Sequence, residues 1–207
     1  MTDLIKPPHV PHNYTEQELE EFLKCADPIT GPAYFLRNFF YIQHPTKGKL
    51  LYQPFTYQEG LIDTYHSNRF AIAMMPRQTG KTTSAAGYLL WYSMFVPDST
   101  ILIAAHIGKG SSEIMTRVRY GYELCPDHIR AGVVTYNKGN IDFDNGSRLV
   151  STTTTETTGR GMSLSLLYCL GGENTVKVRN KITNQVKDIT LLELYVELFK
   201  PKRILLA

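Results

Sequence analysis

Cysteine is scarce in this chain: three in 207 residues, at 25, 125 and 169, too far apart for metal-ligand spacing. That leaves no disulfide framework or zinc cluster to organise the fold and suits free thiols in a reducing compartment. Long apolar runs are missing too. Every hydrophobic stretch is interrupted well short of membrane-spanning length, and no signal-peptide pattern opens the sequence. No internal repeat and no low-complexity tract occurs. With 43% hydrophobic and 20% charged residues, the chain is expected to be soluble, with one substantial core or one domain plus a fragment. A charge bias is also lacking where nucleic acid would need it. The net charge of +3 lies entirely in residues 170–207, with seven basic and four acidic side chains, while residues 1–169 carry 15 of each sign. Any DNA contact must rest on a local patch or on a part outside this sequence.

What is present centres on Ala71 to Thr83, which reads Ala-Ile-Ala-Met-Met-Pro-Arg-Gln-Thr-Gly-Lys-Thr-Thr. An apolar run, expected as a strand over 70–75, ends in a loop closed by Gly80-Lys81-Thr82, and a helix-forming stretch follows. That is the pattern of a phosphate-binding P-loop. Backbone N–H groups of Gln78, Thr79 and Gly80 would wrap an anion at a helix N-terminus. Lys81 would reach the β- and γ-phosphates of ATP, the Thr82 hydroxyl would bind Mg²⁺, and Thr83 would adjoin them. Met75 stands where the pattern has its first glycine. The bland alternative is a strand–turn–helix joint with a chance Gly-Lys-Thr.

The rest of the chain alternates. Residues 1–13 read as loose, with His9 and His12 in a mobile terminus rather than a metal pair. Thr15 with Glu18 marks a helix start, running to about Cys25. The aromatic-rich stretch from Tyr34 to Tyr52 reads as helix, turn and short strand, and a helix follows from Phe55 to about His66. After the loop come a helix to about Phe95, a buried strand over Thr100–Ala105, and a helix over Ser111–Cys125 with Ile114, Val118 and Tyr122 on one face. Asp144-Asn145-Gly146-Ser147 is a hairpin signal between 141–143 and 148–150. Thr152 to Thr155 is a polar tract that would line a ligand cleft or simply lie on exposed β-structure. A strand over Leu164–Cys169 closes the series. Strand–helix alternation predicts a mainly parallel α/β sheet with the nucleotide at its C-terminal edge.

A P-loop ATPase needs acidic residues at the end of a later apolar strand, one for the Mg²⁺ shell and one for the attacking water. After Leu166-Leu167-Tyr168-Cys169 the chain instead reads Leu170-Gly171-Gly172-Glu173. The cradle is present and the expected carboxylates are not.

From about Tyr34 to Cys169 the sequence resembles the ATPase domain of T4-like tailed-phage terminase large subunits. The matching stretches include 34–38, Gln43 to Gly48, Arg77 to Thr82, 85–92 around Trp91, Pro97 to Thr100, Arg119 to Glu123, Cys125 to Arg130 and Gly159 to Ser163. The resemblance implies an ATP-driven motor that packages double-stranded viral DNA through a capsid portal. It implies that Arg77 acts against transition-state charge, where a planar guanidinium offers several donors. A structural ion pair is the alternative for Arg77. It also implies that Gln58, after Tyr57, contacts adenine, against the alternative of a solvated helix residue.

In that family the strand matching Leu166–Cys169 runs straight into Asp-Glu. The replacement of that pair by Leu170-Gly171-Gly172-Glu173-Asn174-Thr175-Val176-Lys177-Val178-Arg179-Asn180 resembles the N-terminal block of an intein. Glu173-Asn174 departs mildly from the commoner Asp-Thr. Thr175–Val178 and Val186–Ile189 read as paired strands, and Thr190–Phe199 as a helix. The resemblance implies Cys169 as the splicing nucleophile, attacking the carbonyl of Tyr168 to give a thioester. All six histidines precede Cys169, so the intein's histidine block, terminal Asn and next nucleophile are missing here, which implies either the N-terminal half of a split intein or a gene truncated inside an intein. An ordinary family cysteine followed by a frameshifted tail is the competing account.

The sequence reading is therefore an incomplete P-loop NTPase of α/β class with a short β-rich intein-like tail. It divides into an N-terminal helical segment (1–33), a partial ATPase domain (34–168) and an N-intein fragment (169–207). Expected ligands are ATP and Mg²⁺. Expected partners are a C-terminal terminase half carrying the C-intein, the portal, the small terminase subunit and, after completion, double-stranded DNA, with no membrane. The expected location is the host bacterial cytoplasm, at the procapsid portal during packaging. The isolated chain is expected to bind ATP without efficient hydrolysis. A splicing precursor that captures a C-intein partner, or an unrelated P-loop helicase fragment, are the alternatives.

Overall fold

Strand–helix alternation gives the chain its frame, and capping and turn chemistry set most element ends. The computed structural model describes residues 4–76, 78–105, 108–155, 158–170, 175–179, 183–190 and 193–194. Its elements run α1 (Glu16–Ala26), α2 (Gly31–Asn38), β1 (Tyr41–His44), β2 (Gly48–Leu51), α3 (Thr56–Ser67), α4 (Lys81–Phe95), β3 (Thr100–Ala105) and α5 (Gly108–Glu123). They continue with β4 (Val133–Tyr136), β5 (Asn140–Phe143), β6 (Arg148–Thr153), β7 (Leu166–Leu170), β8 (Thr175–Arg179) and β9 (Val186–Thr190). Helix α1 opens on the expected capping box: Glu18 N–H donates to Thr15 Oγ1 at 3.3 Å, and Thr15 N–H donates to Glu18 Oε2 at 2.9 Å.

The main sheet has five strands in the order β4-β5-β6-β3-β7. It is mixed rather than mainly parallel as the sequence suggested. β3 runs parallel to both β6 and β7, whereas β4–β5 and β5–β6 are antiparallel. The cause is turn chemistry: the Asp144–Ser147 turn, with Gly146 at φ +82°, folds β6 back on β5. The apolar β3 lies between two neighbours, with Ile101 to Ala105 all buried, as a strand covered on both faces requires.

The expected strand over 70–75 does not form. Strands need a ladder partner, and among the described residues β7 pairs with β3 alone, its other edge taking up no strand from 70–75. Phe70 is 84% exposed and Met74 61% exposed, so this apolar run is not the buried element its composition predicted. Further upstream, the single strand expected before Tyr52 is a two-stranded hairpin. Tyr41–His44 pairs antiparallel with Gly48–Leu51 around a turn in which Gly48 has φ +70°.

The core is built where α4 and α5 pack together and against the sheet. Phe40, 1% exposed, wedges between two glycines. A Cβ at Gly87 would meet its ring at 2.9 Å and one at Gly121 at 2.4 Å, so both helices come closer than alanine would allow. Trp91 is buried and its indole N–H donates to the Cys25 carbonyl at 2.8 Å, tying α4 to the end of α1.

The described part of the N-terminal segment, from Leu4, is not loose. Val133 N–H donates to the Lys6 carbonyl at 3.0 Å, and Lys6 Nζ donates to the carbonyls of Asp127 and Arg130 at 2.9 and 3.0 Å. Arg130 Nη1 donates to the Leu4 carbonyl, and His9 N–H to Asp144 Oδ2. Burial pushes the Lys6 ammonium below its ordinary pKa. Composition pointed to a mobile end, but these contacts join residues more than a hundred positions apart, beyond the reach of any local pattern.

The β8–β9 hairpin forms as expected from 175–178 and 186–189, with Thr175 opposite Thr190 and Arg179 opposite Val186. It is a separate two-stranded sheet. Most of the helix expected over 190–199 lies outside the described residues.

Candidate functional site

The loop entering α4 is shaped by backbone before any side chain acts. Gly80 is the N-cap of α4 at φ +76°, and Gln78 also has a positive φ, +63°. Left-handed backbone at Gly80 turns the chain so that Lys81 opens the helix. No side chain caps this end, so a helix N-terminus with no side-chain acceptor follows the loop, an arrangement suited to an anion. Glycine is also required for space: a Cβ at position 80 would stand 2.4 Å from Gln58 Nε2.

Gln58 is the clamp. It is 4% exposed, and both ends of its carboxamide are used. Its Oε1 accepts from Phe55 N–H at 3.0 Å, closing the first turn of α3, and its Nε2 donates to the Thr79 carbonyl at 2.9 Å. Tyr57 OH donates to the same carbonyl at 3.1 Å. Gln58 therefore stands beside the loop, engaged within the protein rather than free at a base edge. It is also not the solvated helix residue of the alternative reading.

Lys81 Nζ donates to the carbonyls of Met75 and Pro76 at 3.0 and 3.2 Å, folding its stem back over the loop. Thr79 Oγ1 donates to the Pro76 carbonyl at 3.0 Å. Deeper in, Ser84 Oγ lies 2.6 Å from Tyr52 OH and donates to the Gly80 carbonyl, fixing the helix's first turn to the core. Together these contacts leave a cleft of about 380 Å³ lined by Gln78, Thr79, Gly80, Lys81, Thr82, Thr83 and Arg117. Arg117, from α5, was missed by sequence reasoning; it lies 34 positions from its partner Thr83, and no local motif marks it. Arg77 lies outside the described residues.

The polar tract at 152–155 contributes Thr152 and Thr153 to a second cleft of about 340 Å³, with Gly108, Ser111, Ser112 and Lys138 among its walls. Among the described residues, no group of three or more His, Cys, Asp and Glu side chains is arranged to hold a metal ion. No helix among them is long and apolar enough to cross a membrane.

Cys169 sits within β7, opposite Ala104 of β3, and the strand runs through it to Leu170. Burial pushes its thiol above the ordinary cysteine pKa. Tyr168, immediately before it, packs edge-on against Tyr65 with ring centroids 6.3 Å apart. Residues 171–174, including Glu173, lie outside the described residues.

Comparison with known proteins bears on this region. The fold is similar to that in the crystal structure of the HK97 bacteriophage large terminase, with a TM-score of 0.55 and 18% identity over 67% of this chain. The match spans 30% of that protein's length. Residues 72–169 match the family Terminase large subunit, T4likevirus-type, N-terminal. The segment from the cradle loop to Cys169 is thus similar to the N-terminal domain of T4-like terminase large subunits, on a fold shared with a phage large terminase.

Proposed function

We propose that this chain is the N-terminal, nucleotide-binding part of an ATP-driven motor subunit that packages viral double-stranded DNA into a capsid. The observation that carries the reading is the glycine-hinged loop. Gly80 at positive φ delivers Lys81 and Thr82 to the first turn of α4, inside the segment that matches the terminase family. In this reading the backbone N–H groups at 78–80 hold phosphate oxygens. Lys81 exchanges the Met75 and Pro76 carbonyls for the β- and γ-phosphates, and Thr83 borders the site. Thr82 offers one hydroxyl to Mg²⁺, an ion that usually takes several ligands from phosphates and water. When bound, the ion would neutralise charge developing on the transferred phosphoryl group. Gln58 sets the loop's shape and comes close to the adenine side of the site. Arg77 acts on transition-state charge in the completed enzyme. Portal, small subunit and DNA are the partners, at the procapsid in the host cytoplasm.

The test is calorimetric titration of the purified chain with MgATP, alongside Lys81→Ala. Saturable binding lost in the variant supports the reading. No binding to the unmutated chain, or equal binding to both, sinks it.

A second reading concerns the tail. Sheet membership changes after Leu170, where β7 ends and a separate hairpin follows from Thr175, and this supports a change of module close behind Cys169. We infer that residues 169–207 act as an N-intein. The Cys169 sulfur attacks the Tyr168 carbonyl, the Tyr168–Cys169 C–N bond breaks, and the proton goes to the freed amine. The continuity of β7 through Cys169 means the junction must leave the strand ladder first.

A further inference from the structure

Among the described residues, Arg117 is the one lining the P-loop cleft that does not come from the 78–83 segment. Its present contacts are weakly committed. Nη1 donates to a neutral hydroxyl, Thr83 Oγ1, at 3.0 Å. Nη2 donates to Glu113 Oε1 one turn earlier on the same helix, at 2.7 Å, an i,i+4 pair whose side chains are both substantially exposed. Nε is shielded from solvent and has no hydrogen-bond partner. A shielded guanidinium N–H without an acceptor is costly, and a planar fork beside an anion cradle is suited to bidentate phosphate contact. Among the described residues no carboxylate lines the cleft, so Lys81 and Arg117 both face it, Arg117 sharing its charge only with the exposed Glu113 pair.

We propose that Arg117 is a second phosphate-binding cation, exchanging its Thr83 contact for the outer phosphates of the nucleotide. The inference rests on the nucleotide reading above and extends it to a different helix. Helix α5 also packs on α4, β3, β6 and β1. A phosphate contact at Arg117 would therefore make the position of α5 depend on whether the cleft holds a nucleotide. Arg117 would not take part in bond cleavage; it would bind and report.

The experiment is titration of the full chain with AMP, ADP and ATP in the presence of Mg²⁺, comparing the unmutated protein with Arg117→Ala and Arg117→Lys. Thermal unfolding of each checks the fold. A phosphate contact predicts that Arg117→Ala weakens ATP binding by about ten- to a hundredfold and AMP binding little. Arg117→Lys, which keeps the charge and loses the fork, should fall between. ATP affinity unchanged in a folded Arg117→Ala chain overturns the inference while leaving the Lys81 site intact. An equal loss for AMP and ATP also overturns it, since that would mark a purely structural role. If the alanine variant does not fold, the lysine variant decides by the same AMP-to-ATP ratio. Failure of the unmutated chain to bind any nucleotide removes this inference and the reading beneath it together.

Discussion

Gln58 donates its side-chain amide to the Thr79 carbonyl at 2.9 Å, joining the start of one helix to the loop that begins another. The pair makes the cradle's shape a property of α3 as well as of the loop. Gln58 is 4% exposed, and Gln58→Ala would leave Phe55 N–H without its acceptor and the Thr79 carbonyl with the Tyr57 hydroxyl alone. A loss of about 1–3 kcal/mol is expected for a group stranded in this way. Urea unfolding should show it, and a midpoint unchanged from the parent protein would contradict the clamp.

Gly80→Ala meets two obstacles at once. The backbone is at φ +76°, and the new methyl group would land 2.4 Å from Gln58 Nε2. Backbone strain alone is worth about 1–2 kcal/mol, and displacing Gln58 adds to it. The variant should be less stable than Gln58→Ala and should bind MgATP more weakly than the parent. Pairing it with Gln58→Ala should recover part of the stability, because the obstructing amide is then gone. Strict additivity of the two losses would argue against a steric conflict.

ATP turnover by the isolated chain should be no faster than that of Lys81→Ala. Among the described residues the cleft is lined by a lysine, an arginine, a glutamine, a glycine and hydroxyls, with no carboxylate to orient water. A steady-state phosphate-release assay decides it; a rate abolished by the lysine substitution would show a catalytic carboxylate in this chain.

Splicing should depend on Cys169 alone among the thiols. Mixing the chain with a C-terminal half that begins with intein sequence and continues Cys-Asp-Glu should give a ligated product visible by mass spectrometry. Cys169→Ala should give none. Cys25→Ala and Cys125→Ala should splice, since both are buried and neither sits at the junction. A product from the Cys169→Ala chain would overturn the assignment.

Alkaline conditions should destabilise the fold. Burial pushes the Cys25 thiol up to about 12, and Cys125 and the Tyr65, Tyr88, Tyr122 and Tyr136 phenols are pushed up by the same cause. An unfolded thiol titrates at about 8.5 and a phenol at about 10. Above those values the unfolded chain loses protons that the folded chain keeps, so stability falls as pH rises from about 8.5 towards 12. Melting temperatures measured across that range should decline steadily, and a flat profile would contradict the burial of these groups.

What the sequence made legible is local chemistry. Thr15 and Glu18 lie three residues apart, and the capping box follows from that spacing alone. Asn145-Gly146 specified a turn, and the alternation from Thr175 specified a hairpin. The glycine, lysine and threonine of the cradle were equally plain. The failures have a common physical source in distance along the chain. Residues 70–75 looked like a strand, but a strand requires a partner and β7 does not provide one. The parallel sheet was inferred from alternation, while the Asp144–Ser147 turn, itself recognised, forces β6 to run against β5. Arg117 and the Gln58–Thr79 clamp depend on helix positions that no short motif encodes.

Lys6 holds carbonyls 121 and 124 positions downstream. A ribosome makes the N-terminal strap first and its receptor more than a hundred residues later. At about 5–20 residues per second, the strap waits roughly 6–25 s for the Asp127–Arg130 turn to be made. During that interval Leu4 to His9 lacks the acceptors and donors that hold it in the finished fold. Its docking then closes a loop containing most of the cradle, so the last contact made by the first residues reports that α5 and the turn after it are in place.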